Sequence, residues 1–412
     1  MALIVQKYGG TSVADPEKIR NVARHVARAR AAGDSLVVVV SAMGDTTDEL
    51  IALAHRVSEN PADREIDMLV STGEQVTAAL LAMALHDLGV DAISLTGGQV
   101  GIVTDGAHRS AKIVEISTAK IAEHLARGSV VVVAGFQGVD EDLDITTLGR
   151  GGSDTTAVAL AAVLKADVCR VYKDVEGVYT ADPRIVPDAR KIERISYDEM
   201  LEMASLGAQV IQSRAVEFAK KYGVRVEVLS SFTDNPGTVL SEEGEEMEDL
   251  LIRGVTVDRS EAKLTIQRVP DRPGIAASIF KAMADANVNV DMIIQNVSEE
   301  GYTDVSFTVS RDDFKKGVRA LERIVAEIEA KGVTSDEHIA KVSAVGVGMK
   351  SHKGVASAMF GALAREGVNI EMISTSEIKI SCVVDEADAD RAARAVHAAF
   401  NLGKITGGEV RT

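Results

Sequence analysis

Residues Gly274 to Ile293 and Gly354 to Ile373 follow one pattern twice, at a constant offset of 80 residues and without a gap. No other feature restricts the fold as much. Phe280 returns as Phe360, Ala284 as Ala364 and Asn289 as Asn369. Each copy reads as strand, turn, helix, strand, strand, helix. For the first copy this predicts strands over 262–269, 290–297 and 303–309, with helices over 275–286 and 314–330. Two copies of roughly 75 residues make two small βαββαβ modules, because a solenoid needs three or more shorter repeats.

Upstream the pattern changes. Short β-rich runs at 3–5, 36–40, 92–95, 130–133, 169–172 and 224–229 alternate with helical stretches at 16–31, 73–88, 155–164 and 197–221. Several runs are apolar throughout, as in strands covered on both faces. The alternation predicts a three-layer α/β domain with a mainly parallel sheet. Ligands of such sheets bind where loops leave the carboxyl ends of the strands. An acidic run from Ser241 to Asp249 follows the turn-prone Asn235-Pro236-Gly237 and reads as a solvated linker. The expected organisation is the α/β domain over 1–240, a linker over 241–250, and the two small modules over 251–335 and 336–412.

With 412 residues, two or three domains are expected. The formal charge of −17 disfavours nucleic acid and anionic membranes as partners. If the substrates are anions, the site must bring its own Lys and Arg against that field. There is no run of 18 apolar residues to suggest a transmembrane helix, and the N-terminus does not read as a signal peptide. The expected setting is cytoplasmic. Cys169 and Cys382, far apart and without metal spacing, read as small buried hydrophobes of a reducing compartment.

The candidate chemistry follows the strands. Lys7-Tyr8-Gly9-Gly10-Thr11-Ser12 succeeds the first one; its glycines let backbone approach a phosphate and Lys7 is placed to neutralise it. The fragment alone also suits an ordinary structural turn. Thr147-Leu148-Gly149-Arg150-Gly151-Gly152-Ser153-Asp154-Thr155-Thr156 opens straight into an apolar helix. A glycine-rich loop at a helix N-terminus is suited to anions, and Arg150 to a carboxylate or phosphate. The plainer alternative makes Ser153 or Asp154 a helix cap. Lys173-Asp174-Val175-Glu176-Gly177-Val178-Tyr179-Thr180-Ala181-Asp182-Pro183-Arg184 offers cations and an aromatic for a base, or else a polar surface loop. Ser41 to Thr47 follows another strand, and Ser71-Thr72-Gly73-Glu74 opens a helix in which Glu74 suits either the dipole or a ligand ammonium. All five clusters should converge on one edge of one sheet. No nucleophile–base triad is apparent, whereas phosphoryl transfer from ATP needs mainly alignment and charge neutralisation.

The Lys7 to Ser12, Ser71 to Glu74, Gly149 to Thr156 and Val178 to Arg184 segments, with the C-terminal repeat, resemble the aspartate kinase family along essentially the whole chain. The resemblance implies an amino-acid-kinase domain followed by tandem ACT domains. It further implies transfer of the ATP γ-phosphoryl to the β-carboxylate of L-aspartate, the first step of lysine, threonine and methionine biosynthesis. By position, Lys7, Arg150 and Asp154 would be catalytic. Ser41, Thr47, Glu74, Arg150, Gly151, Gly152, Ser153 and Asp154 would bind aspartate. Lys7, Tyr8, Gly9, Gly10, Lys173, Asp174, Tyr179, Asp182 and Arg184 would bind ATP, with Mg²⁺ entering on the nucleotide and no dedicated protein metal site. Lysine and threonine would act as effectors. Their contacts would come from Asp271, Gly274, Ile275, Ala276, Asn289, Val290, Asp291 and Gln295 in the first module. In the second they would come from His352, Val355, Asn369, Ile370, Thr375, Ser376 and Glu377. A homodimer through the ACT domains is implied, or an α2β2 assembly if Met247 serves as an internal start.

The sequence departs from the family at Tyr8, where Phe is common, and at Gln209 and Gln212-Ser213, where Lys and a His-Pro pair are more usual. Another amino-acid kinase would share the Lys-Gly-Gly start but lack the repeat. A silent amino-acid sensor would have lost Lys7, Arg150 or Asp154.

Overall fold

The computed structural model describes residues 2–208, 210–242, 251–296, 301–350 and 352–403. Gln209, Met247 and the linker from 243 to 250 lie outside the described residues. The chain forms two compact units. One comprises described residues up to 178 with 191–205 and 210–242; the other comprises 179–190, 206–208 and the residues from 251 onward.

The first unit is built on an eight-stranded sheet. Its order is Arg194–Ser196, Thr238–Ser241, Val226–Ser230, Val168–Lys173, Leu3–Tyr8, Ser35–Val40, Val130–Ala134 and Ala92–Leu95. Every neighbouring pair is parallel except Val226–Ser230 with Thr238–Ser241. Leu36 to Val40 and Val130 to Val133 are wholly buried, as expected of strands covered on both faces. The helix Pro16–Ala31 packs Ile19, Val22, Ala23 and Val26 into the core beside Val38, Val40 and Val132. Its start is fixed by the Asp15 carboxylate, which accepts from the Lys18 N–H at 2.9 Å, and by Pro16 in the first turn.

Register decides where the loops emerge. Tyr8 lies opposite Val40 and Tyr172, Val40 opposite Ala134, and Lys173 opposite Ser230. Four parallel strands and their neighbour therefore end level, and their loops gather on one edge.

Three features differ from expectation. The stretch 197–221 is two helices, Tyr197–Ser205 and Ser213–Tyr222, the second capped by Gln212. A second small sheet, in the order Ile113–Ile116, Ile102–Thr104, Gln137–Val139 and Ile145–Thr147, was not foreseen. Its strands of three or four residues are too short to carry a period. Finally, Asp63–Asp87, two abutting helices, is long and apolar enough to cross a membrane by length and composition alone. Half of its most apolar window is buried inside the protein, together with Asp67 and Glu74.

In the second unit, the repeat gives two four-stranded antiparallel sheets. The first runs Val290–Gln295, Tyr302–Ser310, Glu261–Pro270 and Gly332–Asp336. The second runs Gly254–Asp258, Ile339–Val345, Lys379–Asp385 and Met372–Thr375. Helices Ile275–Asp285 and Val355–Arg365 begin after glycines in the same left-handed conformation, Gly274 at φ 97° and Gly354 at φ 92°. The linear division at 335/336 gives way to an interleaved one. The strand Gly254–Asp258, expected in the first module, pairs instead with Ile339–Val345 of the second, covering what would be an open edge.

The repeat offset also orders the joint between the modules. Asp291 and Glu371 occupy equivalent positions, and each is held by a lysine from the other copy. Lys341 Nζ lies 2.6 Å from Asp291 Oδ2, and Lys263 pairs with Glu371. Lys341 is 1% exposed and also pairs with Glu261, while Asp258 Oδ2 stands 3.9 Å away. Burial pushes the Glu261 carboxyl up, against the pull of Lys341. Removing one partner of such a pair strands the others. Lys341→Met is expected to destabilise the second unit by about 3–5 kcal/mol in urea unfolding. Adding Glu261→Gln should recover part of that loss; an unchanged unfolding midpoint in Lys341→Met would remove the pair as a stabiliser.

Candidate active site

Alternation along the first strand separates Lys7 from Tyr8. Tyr8 turns into the core, stacks on Tyr172 with centroids 4.6 Å apart, and donates its hydroxyl to Gln6 Oε1 at 3.2 Å. Its ring is thereby committed to the core, while its backbone serves the loops. The Tyr8 carbonyl accepts from Ser41 N–H at 3.1 Å, and the Gly10 carbonyl from Gly44 N–H at 3.1 Å. These bonds fasten the glycine loop after the first strand to the loop after the second.

The second glycine loop leads into the helix Gly152–Leu164, whose first turn contains Ser153 and Asp154, both buried. Gly151 precedes it at φ 68°. A Cβ there would sit 1.9 Å from Gln212 Cγ, so only glycine lets the two segments meet. Gln212 donates its side-chain amide to the Arg150 carbonyl at 2.9 Å, and its backbone N–H reaches Asp154 Oδ2 at 3.4 Å. Arg214 donates to the carbonyls of Leu148 at 3.0 Å and Ala111 at 2.8 Å. The departure at Gln212 thus has a local task, positioning the glycine loop from the side.

Asp154 gathers two cations. Lys7 Nζ lies 2.7 Å from Oδ1, and Lys173 Nζ 2.9 Å from Oδ2. Burial pushes the Asp154 carboxyl up, but Lys173 and Lys7 outweigh it and hold it well below the usual carboxylate range. Burial lowers the Lys7 ammonium to about 8, with Asp154 opposing the shift and Lys173 adding to it. The array carries one more positive charge than negative, at the mouth of a helix N-terminus. That combination is suited to a polyanion.

Glu74 stands in the first turn of Thr72–Asp87, 3% exposed. Its Oε1 accepts from Ala42 N–H at 3.0 Å, while Oε2 is buried without a hydrogen-bond partner. Burial pushes this carboxyl up to about 7; the Ala42 N–H and, more weakly, Lys7 pull the other way. A buried acceptor left open in this way calls for a donor from a ligand. Ser41 and Thr47 are half-buried nearby in sequence, and Arg150 and Gly151 are exposed on the loop.

Two contributors escaped the sequence reading. Asp67 is fully buried and accepts from Thr147 Oγ1 at 2.6 Å, Thr147 N–H at 3.0 Å and Arg109 N–H at 2.9 Å, with His108 Nδ1 3.0 Å away. It anchors the strand that feeds the Gly149 loop. The available signal was an acid beside Ile66 and Val70 on the apolar face of its helix, seven positions before Glu74. Gln137 donates to the Ser71 carbonyl at 2.8 Å and so holds the helix that carries Glu74.

Asp174 is exposed. Tyr179, Asp182 and Arg184 belong to the second unit, where Thr180 Oγ1 meets His397 Nε2 at 2.9 Å and Arg184 pairs with Asp182 at 2.7 Å. For metals, ligand atoms of His108, Asp140 and Asp144 lie within 4.8 Å of one another. Yet His108 faces Asp67, and Asp144 pairs with Arg64 at 2.6 Å. Asp154 is saturated by its lysines. The expected effector residues are mostly exposed: Asp271, Gly274, Ala276, Asn289, Asp291, Gln295, His352, Asn369, Thr375, Ser376 and Glu377, with Ile275, Val290 and Ile370 half-buried and Val355 buried.

Comparison with known proteins gives a consistent result. The amino acid kinase family model matches residues 2–230, and an ACT domain model matches 267–324 and 342–400. An aspartate kinase of Pseudomonas putida is 57% identical over 98% of this chain and 98% of its own. An aspartokinase of Mycolicibacterium smegmatis is 52% identical over 98% and 97%. Among solved structures, E. coli aspartokinase III in complex with aspartate and ADP, in its R-state, superposes with a TM-score of 0.81 at 26% identity, covering 96% of this chain and 99% of that one. The same enzyme with lysine and aspartate, in its T-state, gives 0.74 at 27% identity, covering 98% and 100%.

Asp67→Asn places a donor among donors. It should cost about 1–3 kcal/mol in thermal or urea unfolding. An unshifted melting temperature would show that Asp67 is not the anchor described.

Proposed function

This chain belongs to the aspartate kinases, the branch of the amino acid kinase family with tandem ACT domains, and from that premise we propose how its site works. The enzyme transfers the γ-phosphoryl of ATP to the β-carboxylate of L-aspartate, giving 4-phospho-L-aspartate and ADP. The Lys7–Asp154–Lys173 array carries the assignment of roles. Lys7 neutralises the charge that develops on the transferring phosphoryl group, and Asp154 holds that ammonium in place. The glycine loops and the N-terminus of Gly152–Leu164 receive phosphate oxygens through backbone N–H groups.

On the acceptor side, the open Oε2 of Glu74 takes the α-ammonium of aspartate, and Arg150 takes the α-carboxylate. Ser41, Thr47 and the 151–153 backbone complete the pocket. The β-carboxylate oxygen then attacks the γ-phosphorus in line as the bond to the β–γ bridging oxygen breaks, and ADP leaves. Mg²⁺ arrives on the nucleotide, since Asp154 is engaged by two lysines and is no free ligand for it. Lys173 and Asp174 flank the nucleotide.

Control by amino acids resides in the ACT modules, with lysine and threonine as effectors at the exposed segments beginning at Asp271, Asn289, His352 and Asn369. Support for a dimer comes from the edge strands Val290–Gln295 and Met372–Thr375, whose equivalent residues Ile293 and Ile373 are 51% and 41% exposed. Such edges suit pairing between chains, in a homodimer or in an α2β2 assembly with a separately started regulatory chain.

Hydroxylamine trapping of the acyl phosphate from ATP and L-aspartate should give a hydroxamate, and a product with glutamate alone would sink the acceptor assignment. Lys7→Ala should lose turnover while keeping its melting profile. The pH profile of kcat/KM should be bell-shaped: Glu74 must be ionised, which is lost as pH falls through about 7, and Lys7 must be charged, which is lost as pH rises through about 8. Glu74→Gln should raise KM for aspartate about tenfold or more and erase the acidic limb. Lysine and threonine, titrated singly and together, should inhibit; indifference to both would remove the effector assignment and leave the catalytic one intact.

A further inference from the structure

Asp154 has one negative charge and two ammonium groups to serve. Lys173 Nζ spans both of its oxygens, 2.9 Å from Oδ2 and 3.2 Å from Oδ1, while Lys7 Nζ lies 2.7 Å from Oδ1. An ammonium has three N–H donors, so Lys173 retains one after bridging the carboxylate. Its side chain is 18% exposed, against 5% for Lys7. Lys173 is therefore the outer of the two cations, the one an incoming anion meets first.

Its backbone is held firmly for that task. Lys173 ends the strand beside Leu3–Tyr8, and its carbonyl accepts from both Ser231 N–H at 2.8 Å and Ser231 Oγ at 3.0 Å. Ser231 Oγ in turn meets Ser12 Oγ at 2.8 Å, in the first glycine loop. The serine pair thus links the root of Lys173 to the loop that follows Lys7. What remains is a partly buried surplus of positive charge in a chain whose formal charge is −17. Such a surplus is costly until an anion completes it.

We infer that Lys173 is a second phosphoryl-neutralising residue: it shares Asp154 with Lys7 before nucleotide binds and gives its free N–H to the β,γ-phosphate oxygens of bound ATP. The inference rests on the kinase reading above and sharpens it, from a residue that flanks the nucleotide to one that touches the phosphates being parted. A secondary effect follows. Lys173 is among the groups that depress the Lys7 ammonium, alongside burial and against Asp154, so its charge also tunes its neighbour.

The test compares full-length wild type, Lys173→Met and Lys173→Arg by hydroxamate rates at varied ATP, aspartate and pH, and by the rise in melting temperature on adding ATP. Lys173→Met is expected to raise KM for ATP about tenfold or more, the worth of one charge-assisted contact, with KM for aspartate within about twofold. Its ATP-induced melting shift should shrink, and its alkaline limb should move to higher pH because one of the influences depressing the Lys7 ammonium is removed while burial stays. Lys173→Arg, which keeps the charge, should hold KM for ATP within about threefold of wild type. An unaltered KM for ATP in Lys173→Met would overturn the inference, as would a Lys173→Arg enzyme impaired equally for ATP and aspartate. A wild-type chain that forms no hydroxamate would overturn the kinase reading itself, before Lys173 comes into question.

Discussion

A sheet buried on both faces has no room for polar chemistry except at its ends. Here the valine-rich strands Ser35–Val40 and Val130–Ala134 have burial almost without interruption, so the side chains able to do chemistry emerge where the strands stop. Because Tyr8, Val40, Ala134 and Tyr172 are in register, they stop together. Lys7, Lys173, Ala42 and the 149–154 loop meet for that reason. The hydrophobic effect, which has no direction of its own, is converted by strand register into a directional arrangement of charge.

The charges at that edge are few and poised. Asp154 stays ionised because two lysines face it, and Lys7 is moved by burial towards neutrality. Glu74 is moved the other way and keeps an oxygen without a partner. Each group is costly in isolation, and in the mechanism proposed above a triphosphate and an amino acid complete the array. A chain with so many surface carboxylates would repel both substrates at long range. Local surplus of positive charge, not the overall field, must draw them in.

Much of this was legible beforehand, and the reasons for the rest are particular. The strand–helix alternation, the repeat and the loops bearing Lys7, Glu74 and Asp154 follow from patterns of two, 3.6 and 80 residues. Tyr8 packs into the core while Lys7 meets Asp154, because a motif lists neighbours whereas a strand sends them to opposite faces. Asp67 was missed because its partners, Thr147 and Arg109, are distant in sequence and two of their bonds come from backbone N–H groups that no composition reveals. Gln212 looked like a loss relative to the family pattern, yet its amide holds the Arg150 carbonyl. Tyr179 to Arg184 follow a strand of the first unit but pack with the second, a choice set by Thr180 and His397, more than 200 residues apart.

The interleaving of the two C-terminal modules bears on how the chain comes to be made. Gly254–Asp258 leaves the ribosome early, but its partner strand Ile339–Val345 follows only after the whole first module has been synthesised. The second module therefore closes last, around a finished neighbour, and carries the entropy cost of a long loop that the first module shortens by folding. The same geometry sets where a free-standing regulatory chain can begin. A polypeptide starting at Met247 would carry the strand at 254 and could complete both sheets. One starting only a dozen residues later would leave Ile339–Val345 as a bare edge, open to whatever strand it next encountered.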